Sequence, residues 1–224
     1  MKPYYEQDGI TIYHGDCREI LPMLEPVDLV LTDPPYGIGE DGGACRTRGA
    51  PGYSKHPKMG WDTSTPDADT FGLVLAAGKD QVIWGGNYFT DKLPVSRGWL
   101  YWQKLMGGDF SDGELAWTSR AMALREYTKA NKGGDHVHPT QKPVELMRWC
   151  LGFFPNAQSV VDPFMGSGTT LRAAKDLGLK AIGIEVHERY CEIAAKRMSQ
   201  SVLPLYEGWA DNGWMVKSGY VEEK

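Results

Sequence analysis

Short apolar runs recur along this chain, separated by amphipathic or glycine-rich stretches. Residues 10–14 alternate apolar and polar positions and read as a strand; residues 18–24 then have the spacing of a short helix stopped near Pro26. Residues 27–32 form a mostly apolar run with β-branched members, which suits a strand buried on both faces. The prolines of Asp33-Pro34-Pro35-Tyr36 end it. Residues 37–60 lack periodicity and are rich in glycine, so they read as a long exposed loop of the kind that often binds or covers a site. A helix is predicted over 63–77, starting at Thr63 with Pro66 near its first turn. Strands follow at 81–84, 99–104 and 115–118, with a turn at 106–113 and a loop at 131–139. A helix over 143–150 precedes a strand at 159–161. Next come a glycine-containing turn and a helix reaching about Leu177, with Gly178 as its C-terminal stop. A strand at 180–184 and a helix at 188–198 complete the pattern.

Strands alternating with helices predict an open α/β sheet with right-handed crossovers. Such sheets bind ligands in the crevice beyond the carboxyl ends of their strands. Asp16, Asp33, Asn87, Asp162 and Glu185 each fall just past a predicted strand end, so the pattern sends them toward one crevice.

Composition narrows the class. The 224 residues fit one sizeable core, here a single domain spanning 1–224, and 42% apolar with 24% charged residues is a globular balance. Without a leader-like start or an apolar run of membrane-spanning length, a soluble cytoplasmic protein is expected. Cys17, Cys45, Cys150 and Cys191 are scattered and form no paired metal-ligand spacing; they read as free thiols, Cys150 and Cys191 as buried ones. His14, His56, His136, His138 and His187 add no zinc-like cluster, and no metal is expected. A net charge of −5 argues against a bulk polyanion binder. Two polar stretches nevertheless gather basic residues: Arg46, Arg48, Lys55 and Lys58, then Arg120, Arg125, Lys129 and Lys132. Taken alone, each reads as a solvated face.

Two segments carry candidate chemistry. Residues 162–168 run strand, glycine turn, helix, and Gly166 and Gly168 permit close backbone approach. The segment matches neither the dinucleotide G-x-G-x-x-G fingerprint nor a P-loop. Glu185, one strand–helix–strand unit later, can accept hydrogen bonds from ribose hydroxyls. Together they suggest a nucleoside-containing ligand without a pyrophosphate. The second segment, Asp33-Pro34-Pro35-Tyr36, is stiff, because each proline fixes its own φ and restricts its predecessor. It offers a carboxylate and carbonyl oxygens beside an aromatic ring, the set that an amino group on a planar base requires. The bland alternative is two prolines that merely end a strand.

Asp33-Pro34-Pro35-Tyr36 resembles the catalytic motif of amino-group DNA methyltransferases. The segment Asp162-Pro163-Phe164-Met165-Gly166-Ser167-Gly168-Thr169 resembles their S-adenosylmethionine motif, and His138-Pro139-Thr140-Gln141-Lys142-Pro143 is similar to a further cofactor-binding segment. The catalytic motif comes first and the cofactor motif last, as in the circularly permuted beta group of that family. This resemblance implies a Rossmann-like S-adenosylmethionine-dependent methyltransferase fold, with a mostly parallel central sheet and helices on both faces. The strand at 10–14 would then be the third of the nucleotide-binding half, and the last two strands its first and second.

By the same resemblance, Asp33 and the carbonyl of Pro34 accept hydrogen bonds from the target amino group, Pro35 sets the turn, and Tyr36 stacks on a flipped base. Asp162, Phe164, Gly166, Ser167 and Gly168 surround the cofactor. Thr169, Thr140 and Lys142 lie toward its amino-acid end, His138 binds the cofactor as part of the further segment, and Glu185 takes its ribose. Asp16, with Cys17 beside it, faces its adenine. Trp84, Asn87, Trp102 and Lys104 line either the base pocket or the core. An Asp-first motif resembles adenine-N6 enzymes, a Ser-first motif cytosine-N4 enzymes. The expected reaction is therefore methyl transfer to N6 of adenine in double-stranded DNA. Cytosine-N4 methylation, RNA adenine methylation and a catalytically silent binding module remain the alternatives. Residues 37–60 and 107–135 are the candidate DNA-contacting segments, with basic residues expected to flank the pocket, and a homodimer is compatible with the resemblance.

Overall fold

In the computed structural model, residues 1–39, 60, 62–105, 111–129 and 141–201 are described. Their strands form one nine-stranded sheet. In chain order the elements are β1 (Tyr5–Gln7), β2 (Ile10–His14), α1 (Cys17–Ile20), β3 (Val27–Thr32), α2 (Ala68–Ala76), β4 (Gly78–Trp84), β5 (Gly98–Gln103), β6 (Gly113–Thr118), β7 (Arg125–Thr128), α3 (Val144–Leu151), β8 (Ser159–Asp162), α4 (Thr169–Asp176), β9 (Lys180–Glu185) and α5 (Glu188–Met198). Across the sheet the order is β1-β2-β9-β8-β3-β4-β6-β5-β7.

The five central strands, β2, β9, β8, β3 and β4, are parallel. In that row β8 and β9 come late in the chain yet sit between β2 and β3, which is the permuted order expected from the motifs. Antiparallel pairing flanks this row: β1 pairs with β2 at one edge, and on the other side β6 runs antiparallel between β4 and β5, with β7 parallel to β5 at the far edge.

Alternation along the strands builds two cores. Leu29 and Leu31 of β3, Val82 and Trp84 of β4, and Val160 of β8 face one side, where they meet Leu146 and Cys150 of α3, Leu171 and Ala174 of α4, and Cys191 and Ala194 of α5. Val30, Ile83 and Val161 face the other side and meet Ile20 of α1 with Phe71 and Val74 of α2. Helices therefore cover both faces, as expected for a largely parallel sheet. Each fully buried aliphatic side chain contributes about 1.5–3 kcal/mol relative to exposure. Cys150 and Cys191 are fully buried within the first core.

Several boundaries differ from the pattern-based expectation. Helix α2 begins at Ala68 rather than near Thr63, because the Asp67 side chain accepts the Thr70 N–H at 2.8 Å and caps it. The predicted 18–24 helix is α1 followed by a 3-10 turn at Leu21–Met23. Gly178 does end α4, with φ +71° and its N–H donating to Lys175 O at 3.1 Å. Strands β1 and β7 were not expected. Among the described residues no helix is long and apolar enough to cross a membrane.

Candidate active site

The helix after β8 covers one face of the sheet and the helix after β3 covers the other. The chain thus diverges between these neighbouring strands and opens a crevice beyond their carboxyl ends. Both candidate motifs start there. Thr32, the last residue of β3, donates its hydroxyl to the Asp162 carboxylate at 2.7 Å, so the two motifs meet through a buried hydrogen bond. Asp162 also accepts the Phe164 N–H at 3.1 Å, which shapes the turn. Burial pushes the Asp162 carboxyl up to about 6, against the pull of those donors.

The turn after β8 carries two left-handed glycines, Gly166 at φ +50° and Gly168 at φ +79°. Glu185, at the tip of β9, reaches across to it: Oε2 accepts the Gly166 N–H at 3.0 Å and Oε1 the His187 N–H at 2.8 Å. Burial raises this carboxyl to about 7. A glycine turn whose amide is committed to a carboxylate is not a phosphate nest. What the turn offers a ligand here is an acceptor, the Glu185 carboxylate, rather than free amide donors. Ser167 Oγ donates to Gln141 Oε1 at 3.2 Å, and Arg197 of α5 reaches the Ser167 carbonyl and Thr169 Oγ1, each at 3.4 Å. Phe164 is partly buried against the second core.

At the tip of β2, Asp16 caps α1 by accepting the Arg18 N–H at 2.9 Å, and it pairs with the Arg18 guanidinium at 2.5 Å. The Arg18 bonds hold its carboxyl below the usual range. Gly15 N–H donates to the Glu185 carbonyl at 2.9 Å, which sets Asp16 beside the Glu185 strand end. Cys17 is buried in the second core, and burial lifts its thiol to about 11, so it is a packing residue here. His138 and Thr140 lie outside the described residues.

The Asp33 end holds a charged cluster. Lys142, whose side chain is 3% exposed, pairs with Asp33 and, at 3.0 Å, with Glu114 of β6. Its ammonium also donates to the Tyr36 hydroxyl at 3.0 Å. Tyr36 in turn donates to Asp33 Oδ1 at 2.6 Å, and Lys104 pairs with Glu114. Burial is the largest influence on Lys142 and opposes its charge, yet the two carboxylates outweigh it and hold the ammonium above the ordinary lysine value. Burial would raise the Glu114 carboxyl, but Lys142 and Lys104 bring it down to about 2. Asp33 is raised, burial outweighing Lys142.

Tyr36 is locked from several sides. Its ring stacks on Tyr88 at 4.8 Å with planes 15° apart and meets Phe89 edge-on. It also lies against Gly85, where a Cβ would come within 2.1 Å of the ring.

Lys142 lies on Asp33, and its neighbour Gln141 contacts the glycine turn. Tyr88, 42% exposed, covers one ring face of Tyr36. One sequence expectation changes. The basic residues near 120–129 do not flank the crevice as a group. Strand β6 runs antiparallel to β4, so it starts at the crevice with Glu114 and carries Arg120 toward the opposite end of the sheet, while Arg125 opens β7 at that same end. Arg120 stacks over Phe154 at 5.7 Å, and Lys129 pairs with Glu145 at 3.0 Å. Arg46, Arg48, Lys55, Lys58 and Lys132 lie outside the described residues. Trp84 and Trp102 are core residues that also border the cluster, Trp84 at 5.5 Å from the Lys142 ammonium.

Sequence reasoning missed Glu114, Tyr88 and Thr32. Only Thr32 carried a sequence signal, as the polar residue ending an apolar strand.

A permuted, mostly parallel sheet thus brings a glycine turn and a strand-end carboxylate beside an Asp-Pro-Pro-Tyr segment, an α/β class with its ligand crevice beyond the strand ends. Comparison with known proteins makes this specific. A family model described as DNA methylase matches residues 83–196. YubD of Escherichia coli (strain K12) is 34% identical over 226 residues, covering 90% of this chain and 96% of that protein. The chain belongs to this DNA methylase family. Among solved structures, the complex of M1.HpyAVI with SAM superposes with a TM-score of 0.58 at 24% identity, covering 85% of this chain and all of that one. PvuII DNA methyltransferase, a cytosine-N4-specific enzyme, gives 0.59 at 18% identity and covers 90% of each chain. At these identities both establish the fold.

Proposed function

We propose that the protein transfers a methyl group from S-adenosylmethionine to the N6 amino group of adenine in DNA. The observation that carries this reading is the Thr32–Asp162 hydrogen bond, which holds the Asp33 and glycine-turn motifs against one crevice. S-adenosylmethionine, when bound, supplies an electrophilic methyl on a sulfonium. Glu185 would accept from its ribose hydroxyls, and Gly166 and Gly168 would let the backbone approach it closely; Asp16, Phe164, Ser167 and Thr169 complete the surround. Asp33, one-fifth exposed, accepts one N–H of the target amino group, and the Pro34 carbonyl accepts the other. Those two bonds would aim the nitrogen lone pair at the methyl. As the N–C bond forms, the nitrogen would lose one N–H proton to its acceptors and on to water, and the sulfonium S–C bond would break to leave a thioether. Positioning and local charge thus supply most of the catalysis. The base must leave the duplex to be reached. We place it against the aromatic pair of Tyr36 and its exposed partner Tyr88.

The choice of adenine rests on Asp as the first motif residue. Labelled methyl transfer to unmethylated DNA, followed by digestion to nucleosides, tests it. Label in N6-methyladenine supports the reading, whereas label in N4-methylcytosine overturns the base, and label in RNA alone overturns the substrate.

A further inference from the structure

A nearly inaccessible lysine beneath a partly accessible aspartate is an unusual way to build an acceptor. The Lys142 ammonium has three N–H donors, and three oxygen-bearing groups surround it: Asp33, Glu114 and the Tyr36 hydroxyl. Asp33 and Glu114 side chains are each 21% exposed, against 3% for Lys142. The ammonium therefore grips the carboxylates from within, and what remains open on Asp33 is exposed. Glu114 is itself fixed, since Lys104 pairs with it and it faces Trp102 across the β5–β6 ladder.

From this geometry we infer that Glu114 is a positioning residue: by anchoring Lys142 it fixes the direction in which Asp33 presents its acceptor oxygens to the substrate amino group. This rests on the methyltransferase reading above. Glu114 does not touch the reacting atoms; it acts through Lys142. Without its charge, Lys142 has a single carboxylate partner and competes fully with the substrate amino group for Asp33.

Charge signs give a test that a merely structural role would not meet. The groups facing Asp33 are Lys142, Glu114 and Tyr36, with Asp162 across the Thr32 bridge and Lys104 behind Glu114. Removing the Glu114 charge takes a negative neighbour from Asp33 and should move the acid limb of the kcat profile to lower pH. Removing the Lys142 charge takes away a positive neighbour and should move it to higher pH.

The experiment is steady-state methyl transfer to DNA across pH by wild type, Glu114→Gln, Lys142→Gln and Glu114→Asp, with S-adenosylmethionine affinity from calorimetry. Glu114→Gln should lose about tenfold or more in kcat while cofactor affinity stays within about twofold. Glu114→Asp should recover part of the rate, and the acid limbs of the two Gln variants should move in opposite directions. Wild-type kcat in Glu114→Gln, matching acid limbs, or a loss confined to cofactor affinity would overturn the inference while leaving the methyltransferase reading intact. If Glu114→Gln does not fold, Glu114→Asp carries the test: reduced kcat at unchanged cofactor affinity supports the role, and full rate overturns it. Wild-type protein that methylates no DNA would overturn the underlying reading and this inference with it.

Discussion

Replacing Gly85 with alanine probes the packing that holds the Asp33 end in shape. Gly85 has φ +71°, and an added Cβ would lie 2.1 Å from Tyr36 Cε1, 2.6 Å from Cζ and 2.7 Å from Cδ1. The ring would have to retreat by more than about 1 Å to reach ordinary contact. Its hydroxyl bond to Asp33 at 2.6 Å and its stack on Tyr88 oppose that movement. Left-handed backbone costs alanine roughly 1 kcal/mol more than glycine. Overpacking adds about 1–3 kcal/mol. Gly85→Ala should therefore destabilise the fold by about 2–4 kcal/mol in denaturant unfolding, with methyl transfer falling at least about tenfold as Tyr36 shifts. A double-mutant cycle separates the two costs. In a Tyr36→Ala background the steric part vanishes, and Gly85→Ala should cost only about 1 kcal/mol. A Gly85→Ala protein within about 0.5 kcal/mol of wild type, or one equally costly in both backgrounds, would refute the reasoning.

Three further outcomes are expected. Burial pushes the Asp162 and Glu185 carboxyls up to about 6 and about 7, above their ordinary values. Their contribution to stability is thus full below about pH 4 and lost as pH rises through the 6–7 range, by up to roughly 3 kcal/mol per carboxylate. Unfolding of ligand-free protein between pH 5 and 8 should show that decline, and Asp162→Asn should flatten it. Glu185→Ala should weaken S-adenosylmethionine binding by about tenfold or more in calorimetry while the Asp33 cluster keeps its place; unchanged affinity would remove Glu185 from the cofactor site. Asp62 accepts the Gly37 N–H at 2.7 Å and holds the chain leaving Tyr36. Asp62→Ala should cost about 1–3 kcal/mol by thermal or denaturant melting, and a neutral result would mean that this anchor is dispensable.

Much of the fold was legible because the buried strands carry strong local patterns. The run Val27–Thr32 with its prolines, and the turn between Ser159–Asp162 and Thr169–Asp176, announce strand ends by composition alone. Strands Tyr5–Gln7 and Arg125–Thr128 are three and four residues long, sit at the sheet edges and are largely polar, so no periodicity marks them. The start of α2 was misplaced because Thr63, Ser64, Thr65 and Asp67 all resemble caps, and only the Asp67–Thr70 bond decides among them. Asp33, Asp162 and Glu185 were legible as strand-end groups. Glu114 was not, because a glutamate in a half-exposed strand reads as solvated surface until β6 pairs with β4 and carries it to Lys142. The Lys142 ion pair with Asp33 was not legible for a related reason: Gln141 meets the glycine turn while Lys142 meets Asp33, and only the folded chain brings each to its partner.

The central claim is that Asp33 directs methyl transfer from S-adenosylmethionine onto adenine N6 in this crevice. Its most direct test is nucleoside mass spectrometry of unmethylated DNA after parallel incubation with wild type and Asp33→Ala, each first shown to bind the cofactor. N6-methyladenine should appear with wild type and be absent with Asp33→Ala, at cofactor affinities within a few-fold of each other. N6-methyladenine formed equally well by Asp33→Ala, or no methylated base from the wild-type protein, would contradict it.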